Sequence, residues 1–539
     1  MADNNRLRGW LCMVAVASAA FMAVSTAIAA MASAAATRWE VTADAARTID
    51  LKTAPEVAPV PMPAGLAINR PTIPMADYLA AKNAAAAAKA PGQAKPGPAA
   101  PPTSSDVTLY AQVGSTNETQ TTGGNQLPPS GDIATSQQWM VQVNNDVIVM
   151  YNWFTNAFVS KNLATFFQYA AFTFDPRVIY DPYWDRFVVL AANCRYCNTA
   201  NNLPFLNMAV SKTGDPSGEW FTLSPNQPFQ PGDFYDFPQL GMDLNSIIVT
   251  YNYFPLGGGF DARTFSVAKA LLYNGRNFAA SAFGGSGCTM APPYVLDTSG
   301  VDYLMAFCPG DNKVWIASLS NSGLANASLH LWDNTVSVAN HGIPPQAVQP
   351  APNGAYTLDT GDNRFENRSL QVGSRILNTA TVNLSGYPGP AYYNFNIGVS
   401  PHTLVSEGTY FASSSSYDWH PAINANTLFP PAGTPLGGIF TTWMSTDPVA
   451  GTNVQLRAGG WIGDSGFTYG IPIFTSPFGL TNQTDSNGVH RTGDYAYIAT
   501  YPAAALGCLY PGELGILEGE TVGPAAGTWG THVGIVKHC

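Results

Sequence analysis

Short apolar runs separated by turn residues recur along most of this chain. Between residues 175 and 223 four runs are rich in β-branched, aromatic and aliphatic residues, at 178–180, 187–191, 206–211 and 220–223, and Asp, Pro, Gly and Asn stand between them. Such runs bounded by turn formers are typical of antiparallel strands. We therefore interpret residues 175–220 as one blade of a β-propeller.

The same pattern continues to the C-terminus, with candidate strands at intervals of roughly ten residues and no long amphipathic helical stretch. Four strands per blade over about 430 residues correspond to about seven blades, with six or eight possible. The sequence thus predicts an all-β fold, a single β-propeller at residues 107–539 without an internal linker.

The N-terminus carries the pattern of an export signal. Arg6 and Arg8 precede an apolar stretch at 11–30, and small residues follow at 32–36. A basic region, an apolar region and an A-x-A site indicate a signal peptide at residues 1–36. An uncleaved membrane anchor is the alternative, because the stretch approaches spanning length. No second apolar run is as long, so we expect a mature chain without a transmembrane segment, located outside the cell, in a periplasm or at the cell surface.

Residues 37–106 are rich in Ala and Pro, a composition typical of extended chain that packs poorly. We predict a disordered spacer here. A short helix at about 75–90 is possible, but it has too few large apolar residues to dock firmly. The segment is then a tether, or else a stalk or pro-segment.

The charge balance limits the classes of binding partner that we expect for this chain. The chain has 24 Lys and Arg against 35 Asp and Glu, a net charge of −11, and its basic residues are scattered. Nucleic acids are bound through clustered basic residues, so we do not expect nucleic acid as a partner.

Six of the seven cysteines lie beyond residue 36. An even number in an exported chain indicates disulfides. We predict the neighbour pairs Cys194–Cys197, Cys288–Cys308 and Cys508–Cys539. The CxxC spacing of the first pair also allows a redox dithiol or half of a metal site, although no second CxxC accompanies it.

Candidate chemistry comes from acids, arginines and aromatic residues near predicted turns. Asp359 and Asp362 lie in an oxygen-rich patch that could hold calcium. Asp362 and Asp494 are also candidates for general acid and base on a glycosidic bond, with Arg491 beside them. Arg364 is a candidate for holding an anionic group, and Tyr393 and Trp419 for stacking on sugar rings. His402, His420 and His490 form a further possible group near the axis. The GxSxG motif is absent, so the sequence gives no support for a serine esterase.

Several motifs carry a resemblance to a known group of proteins. They are Asp175-Pro176, Tyr180-Asp181-Pro182, Asp185-Arg186-Phe187, Ser211 to Pro216, Asp236 to Gly241, Arg491 to Tyr495 and Trp529-Gly530-Thr531. Together they resemble secreted bacterial β-propeller proteins, most of them uncharacterised. The resemblance implies the fold and an extracellular location, and it brings no catalytic residues.

Residues 213–220 are also similar to the sialidase Asp-box, a β-turn motif, but Ser217 stands where that motif has Gly. The turn has a physical account of its own: Asp215 accepts backbone N–H groups and Trp220 packs between sheets.

Two classes of function remain open. We predict a secreted propeller that recognises an extracellular polymer or cell-surface ligand, either glycan or protein. The alternative is an extracellular hydrolase or lyase of a polysaccharide or other polymer, with acids and arginines in the central funnel. A quinone-dependent dehydrogenase ranks below both, because recurring tryptophan-docking repeats are not evident.

Overall fold

A computed structural model describes most of the chain beyond residue 35. The described residues are 36–63, 66, 70–89, 94–95, 107–116, 130–145, 147–197, 199–295, 297–339, 341–425, 438–462, 470–480, 490–491, 493–502, 514–522 and 529–538. The predicted signal peptide therefore lies outside them, except for Ala36.

The N-terminal part contributes three strands and one helix. They are β1 (Thr37–Ala43), β2 (Arg47–Asp50), α1 (Met75–Ala87) and β3 (Thr108–Thr116).

The first two four-stranded units follow in chain order. They are β4 (Gly131–Thr135), β5 (Trp139–Asn144), β6 (Val147–Asn152) and β7 (Phe158–Asn162), then helix α2 (Leu163–Phe167), then β8 (Phe172–Asp181), β9 (Arg186–Arg195), β10 (Leu203–Ser211) and β11 (Glu219–Leu223). Asn162 caps α2 by accepting a hydrogen bond from the Thr165 amide, as short polar side chains do at helix starts.

The middle of the chain adds further strands and one short helix. They are β12 (Phe234–Met242), β13 (Ser246–Phe254), β14 (Asp261–Ala268), helix α3 (Lys269–Leu272), β15 (Phe278–Ser286), β16 (Pro293–Val295), β17 (Val301–Phe307), β18 (Lys313–Ser320) and β19 (Ser328–Ser337), followed by a 3₁₀ turn at Asn353–Ala355.

The last part completes the ring. Its strands are β20 (Ser369–Val372), β21 (Arg375–Asn383), β22 (Pro388–Asn396), β23 (Thr403–Thr409), β24 (Tyr417–Ala425), β25 (Gly438–Asp447), β26 (Thr452–Ile462), β27 (Ile471–Thr475), β28 (Ala496–Thr500), β29 (Leu514–Val522) and β30 (Trp529–Lys537).

The innermost strands of successive units contact one another in a closed circuit. In order they are β4, β8, β12, β16, β20, β24 and β28, and β28 returns to β4. We call the space that they enclose the central channel. β3, from the N-terminal part, pairs with the final strand β30, with Ala111 opposite Ile535. The last strand and β3 thus share one sheet, which closes the ring.

This arrangement is a β-propeller, and the predicted all-β fold class is confirmed. The number of blades stays a prediction, because short β16 pairs in parallel with both β12 and β20 and so makes one continuous ten-stranded sheet where two blades would be separate.

Large aromatic side chains fill the space between adjacent sheets. Trp220, Trp419, Trp443 and Trp529 are fully buried or nearly so. Trp220, for example, packs edge-on against Phe166 of α2 at 5.0 Å between ring centroids. Burying such rings removes a large apolar area from water and is the main favourable contribution to this fold.

The Asp-box-like turn has the structural role that its residues indicated. Asp215 accepts hydrogen bonds from the amide and the hydroxyl of Ser217 at 2.9 and 2.6 Å, and the Trp220 indole donates to the Pro216 carbonyl at 2.7 Å. The turn lies at the β10–β11 hairpin, where it fixes Trp220 for packing.

The prediction of a disordered spacer at residues 37–106 is corrected for the parts that the structure describes. β1 adds an outer strand to β15, with Trp39 opposite Ala282, and β2 adds one to β11. Helix α1 docks on the propeller through buried Tyr78 and Lys82. Ala and Pro dominate the composition of the whole segment, but Val41, Ile49 and Leu51 are buried in the propeller core, and backbone pairing holds β1 and β2.

Tyr393 and Trp419 also differ from their predicted role. Both are fully buried. Tyr393 packs against Phe307 and Phe365, and Trp419 lies in a core cluster with Met444. Alternation along β22 and β24 turns these rings into the core, so neither presents a face to a sugar.

Two disulfides are present among the described residues, and they are two of the predicted pairs, Cys194–Cys197 and Cys288–Cys308. The pair Cys508–Cys539 lies outside the described residues. Among the helices that are described, none combines the length and the apolar character needed to cross a membrane.

The two bridges are expected to differ in their effect on stability. In the chain-entropy model, closing the sequence separation of 20 residues at Cys288–Cys308 stabilises by about 3 kcal/mol, and the separation of 3 at Cys194–Cys197 by about 2 kcal/mol. Replacing each pair by serines and measuring urea unfolding checks this. A larger loss for Cys194→Ser/Cys197→Ser would contradict it.

Candidate axial site

Buried charged side chains converge where the innermost strands begin, at one end of the central channel. Each member of the group is at most 5% exposed, and the members are Asp175, Arg177, Asp236, Asp362, Arg364, Glu366, Arg491 and Asp494. They come from β8, β12 and the segments that precede β20 and β28. The closed ring therefore brings together residues that are far apart in sequence.

A recurring local feature aims some of these side chains. Asp175, Phe237 and His420 each stand directly before a proline and have positive φ values of 48°, 51° and 50°. At each position the pairing of the innermost strand with its neighbour shifts register. Such bulges redirect side chains and are frequent next to functional sites.

Arg177 reaches across the channel from β8. Its Nε donates to the Pro238 carbonyl at 2.8 Å, and its guanidinium lies 3.8 Å from the ring centroid of Tyr495. Its terminal nitrogens have no hydrogen-bond partner among the described residues although the side chain is 1% exposed. A buried guanidinium in this state is a strong donor for a group that enters the channel.

Asp175 has the electrostatic character of a general acid. Burial raises the pKa of its carboxyl, and the nearby Asp236 and Asp494 raise it further, so that the pKa reaches about 7 despite Arg177. The Tyr495 hydroxyl lies 3.5 Å from its Oδ2. This carboxyl can therefore hold or release a proton near neutral pH.

The predicted catalytic residues lie in this cluster, each already paired. Asp362 forms a bidentate ion pair with Arg364, with its Oδ2 2.6 Å from Nη2 and its Oδ1 2.7 Å from Nε. Asp494 pairs with Arg491 and also accepts a hydrogen bond from Ser130 at 3.3 Å. The structure thus groups Asp362, Asp494, Arg491 and Arg364 as a set of neutralised pairs.

A second acid–base pair was missed in the sequence. His420 Nδ1 lies 2.9 Å from Glu366 Oε1, and both side chains are buried. Burial raises the pKa of Glu366 although His420 lowers it. Gly361, with φ of 66°, leaves room for this pair, since a Cβ there would lie 2.4 Å from Glu366 Oε1. The repeated X-Pro in the innermost strands, at Asp175-Pro176 and His420-Pro421, was the signal available in sequence.

The other histidines of the predicted trio have separate surroundings. His402 packs edge-on against Tyr303, and His490 packs edge-on against Tyr356. No set of three or more His, Cys, Asp or Glu side chains within the described residues could hold a metal ion. Of the pair predicted for calcium, Asp359 binds Lys82 and Asp362 binds Arg364.

Residues 70–89 with residues 94 and 95, here called the covering segment, lie over this end of the channel. The Arg70 amide donates to Asp236 Oδ2 at 2.7 Å, and its guanidinium lies 4.0 Å from the Phe234 ring centroid. The Arg364 guanidinium donates to the Arg70 carbonyl at 3.1 Å. The axial residues are therefore closed off from solvent by the chain's own N-terminal part.

Lys82 of α1 is a buried contact of this segment. Its ammonium lies 3.0 Å from Asp359 Oδ1 and donates to Thr360 Oγ1 at 2.9 Å and to the Gly361 carbonyl at 2.6 Å. Burial raises the pKa of Asp359, but Lys82 and Arg491 outweigh it and lower the pKa to about 2. This carboxylate is thus charged at every physiological pH.

The opposite end of the channel has a different character. A depression there is lined by Tyr180, Tyr294, Arg368 and Asn424, among others. Arg368 pairs with Asp132 at 2.8 Å inside the channel. Asp132 is thus neutralised by Arg368, whereas the covered end holds the cluster of several carboxylates.

Fold and site define the class as a β-propeller with a buried ionic cluster on its axis. No family model matches the chain, and no curated protein matches it.

Solved structures that are similar to this chain include three proteins. One is a neuraminidase-like protein of a little yellow-shouldered bat isolate from Guatemala, with 10% identity, 63% of this chain and 94% of that chain covered and a TM-score of 0.34. Another is the sialidase of Trypanosoma rangeli, with 9% identity, 76% of this chain and 53% of that chain covered and a TM-score of 0.30. The third is an exo-β-1,3-galactanase from Clostridium thermocellum, with 9% identity, 68% of this chain and 88% of that chain covered and a TM-score of 0.29. The chain thus spans about half of the trypanosomal sialidase.

Proposed function

We propose that this protein is an extracellular propeller that cleaves a glycan, as a hydrolase or lyase, with the axial cluster as its acid–base centre. The observation that carries the proposal is the convergence of carboxylates and guanidinium groups from several innermost strands, one of which, Asp175, has a pKa raised to about 7. Perturbed carboxyl groups gathered in one place are more frequent at active sites than elsewhere.

The chemistry of glycosidic cleavage needs two carboxyl groups in different protonation states. One protonates the leaving oxygen, and the other acts as a base or nucleophile. Asp175 suits the first role because it retains a proton near neutral pH. Asp494 suits the second because Arg491 pairs with it and favours the carboxylate. Arg177 would hold the substrate through its terminal nitrogens.

The extracellular location is part of the proposal. Two disulfides lie in the described part of the chain, and such bonds persist in oxidising compartments. The predicted signal peptide supports the same location.

Recognition without cleavage is the second candidate. The observation that favours it is that Asp362 and Asp494 are each neutralised by an arginine, which is also how a purely structural cluster would be arranged. In that case the ligand, a glycan or protein surface, would bind at a rim of the channel.

One experiment separates the two candidates. The chain from Thr37 to Cys539 is incubated with neutral, acidic and amine-bearing polysaccharides, and reducing ends and unsaturated products are followed by mass spectrometry. Products that accumulate with time, and that are lost in Asp494→Asn but kept in Asp44→Asn, an exposed carboxylate between β1 and β2, would support cleavage. Retention of the protein on one polymer without products would support recognition.

A further inference from the structure

We infer that the group of oxygen atoms around the Lys82 ammonium is a binding subsite for protonated amines, and that its ligand, once the covering segment moves, is a glycan that bears primary amines. The inference rests on the proposed function and deepens it, since it names the chemical class of the substrate.

The first support is the geometry of the subsite. The Lys82 ammonium is surrounded by Gly361 O at 2.6 Å, Thr360 Oγ1 at 2.9 Å, Asp359 Oδ1 at 3.0 Å and Pro344 O at 3.3 Å. All four atoms belong to the propeller and none to the covering segment. An ammonium has three donors, so the propeller supplies a complete site for one.

The second support is the charge that remains without Lys82. The carboxylates of Asp359, Asp362 and Glu366 all act on Lys82. Around them, Arg364 pairs with Asp362 and Arg491 pairs with Asp494, and Arg491 also favours the charged form of Asp359. When the segment leaves, Asp359 loses the ammonium that pairs with it, and a protonated amine of a ligand can take the same place.

The third support is repetition along the covering segment. Lys95 lies 2.7 Å from Asp418 Oδ2, and both side chains are fully buried. Lys89 donates to the Tyr417 hydroxyl at 3.0 Å and lies 4.0 Å from the Tyr387 ring centroid. Three ammonium groups of one segment thus occupy three sites on one face, the arrangement expected of a polymer with repeated amines.

The way the segment is held allows it to move. Within α1, only Tyr78, Lys82 and Ala85 are buried. The docking therefore relies on ion pairs, hydrogen bonds and contacts of cations with aromatic rings, and the ion pairs regain hydration when they separate. β2 and β3 anchor the chain on either side by backbone pairing, so the segment can leave the face without being lost.

The subsite fits an amine better than a divalent metal ion. Calcium takes six to eight oxygen ligands, usually with several carboxylates. Here a single carboxylate oxygen is accompanied by two carbonyls and one hydroxyl, so each of the three N–H donors of an ammonium has an acceptor.

Chemical rescue tests the subsite itself. Lys82→Ala removes the ammonium and its stem, and about 10 mM n-butylammonium is expected to raise the melting temperature of this variant by about 3 °C through binding to the folded state. Butanol should not do so, and neither should butylammonium with Lys52→Ala, a variant of an exposed lysine. No shift for Lys82→Ala, an equal shift in Lys52→Ala, or an equal rescue by calcium chloride would overturn the inference.

A binding measurement tests the ligand class. In Lys82→Met, which keeps the apolar stem, glucosamine hexamer is expected to bind at least tenfold more tightly than N-acetylglucosamine hexamer, and Lys82→Met/Asp359→Asn should lose the preference. Calorimetry reads this without any cleavage, so a protein that binds the amine but releases no product would refute the proposed cleavage alone. Equal affinity for the two hexamers, or tighter binding of hexalysine than of glucosamine hexamer, would overturn the inference.

Discussion

Asp175→Asn is expected to lower the rate of glycan cleavage by about 10²- to 10⁴-fold, the usual contribution of a general acid. The amide keeps the shape of the side chain but cannot donate an acidic proton. The Asp175 carboxyl can do so near neutral pH, because its pKa is about 7. Initial rates of product release with the polymer that the protein cleaves check this. Asp44→Asn, on the surface, should keep the full rate.

The same substitution has a distinct effect on stability. The folded-state pKa of Asp175 is raised to about 7 from the ordinary value of 3.8, so the native protein retains a proton that the unfolded chain has released. Wild-type stability should therefore fall as the pH rises from about 4 to about 7, by up to about 1.4 kcal/mol per pH unit from this group.

Asp175→Asn should lack that component of the slope. Urea unfolding of both proteins at about pH 5 and pH 7 measures the difference. An identical slope in the two proteins would show that the carboxyl titrates normally and would remove the basis for its role as an acid.

Lys269→Met should lower the free energy of unfolding by about 3 to 5 kcal/mol, the cost of leaving one partner of a buried ion pair alone. Lys269 Nζ lies 2.7 Å from Asp181 Oδ2, and both side chains are fully buried. Tyr273 donates to the same oxygen at 2.7 Å. The pair fixes α3 and the end of β8 to each other. Urea unfolding monitored by tryptophan fluorescence measures the loss.

Two controls isolate this effect. Lys269→Met/Asp181→Asn removes both charges and should recover a large part of the loss. Lys212→Met breaks an exposed pair with Glu219, 3.5 Å apart, and should cost less than about 1 kcal/mol. A comparable loss in Lys212→Met and Lys269→Met would show that burial of the pair is not the cause.

The strands of the second unit could be predicted because their signals are local. The runs predicted at 187–191 and 206–211 lie within Arg186–Arg195 and Leu203–Ser211, and the run at 220–223 lies within Glu219–Leu223. The two disulfides at Cys194–Cys197 and Cys288–Cys308 were predictable for the same reason, since their partners lie near each other in sequence.

The candidate site was only partly predictable. Arg491 with Asp494 and Asp362 with Arg364 are close in sequence, so their association could be anticipated from the pattern. Asp175 escaped notice as a chemical group, because its raised pKa comes from burial and from Asp236 and Asp494 on other strands. Lys82 escaped notice because α1 has almost no apolar face by which docking could be recognised.

The sequence by itself determined many of the strands within residues 107–539, their turns and the propeller class, because alternation, β-branched residues and turn formers act over a few neighbouring positions. Only the tertiary structure decided which side chains meet on the axis and what covers them. Asp175 and Asp494 come together through closure of the ring, and Lys82 meets Asp359 because β2 and β3 hold the intervening segment across one face. Ion pairs between distant segments require no regular spacing of charged residues along the chain, so they cannot be recognised in the sequence before the fold is known.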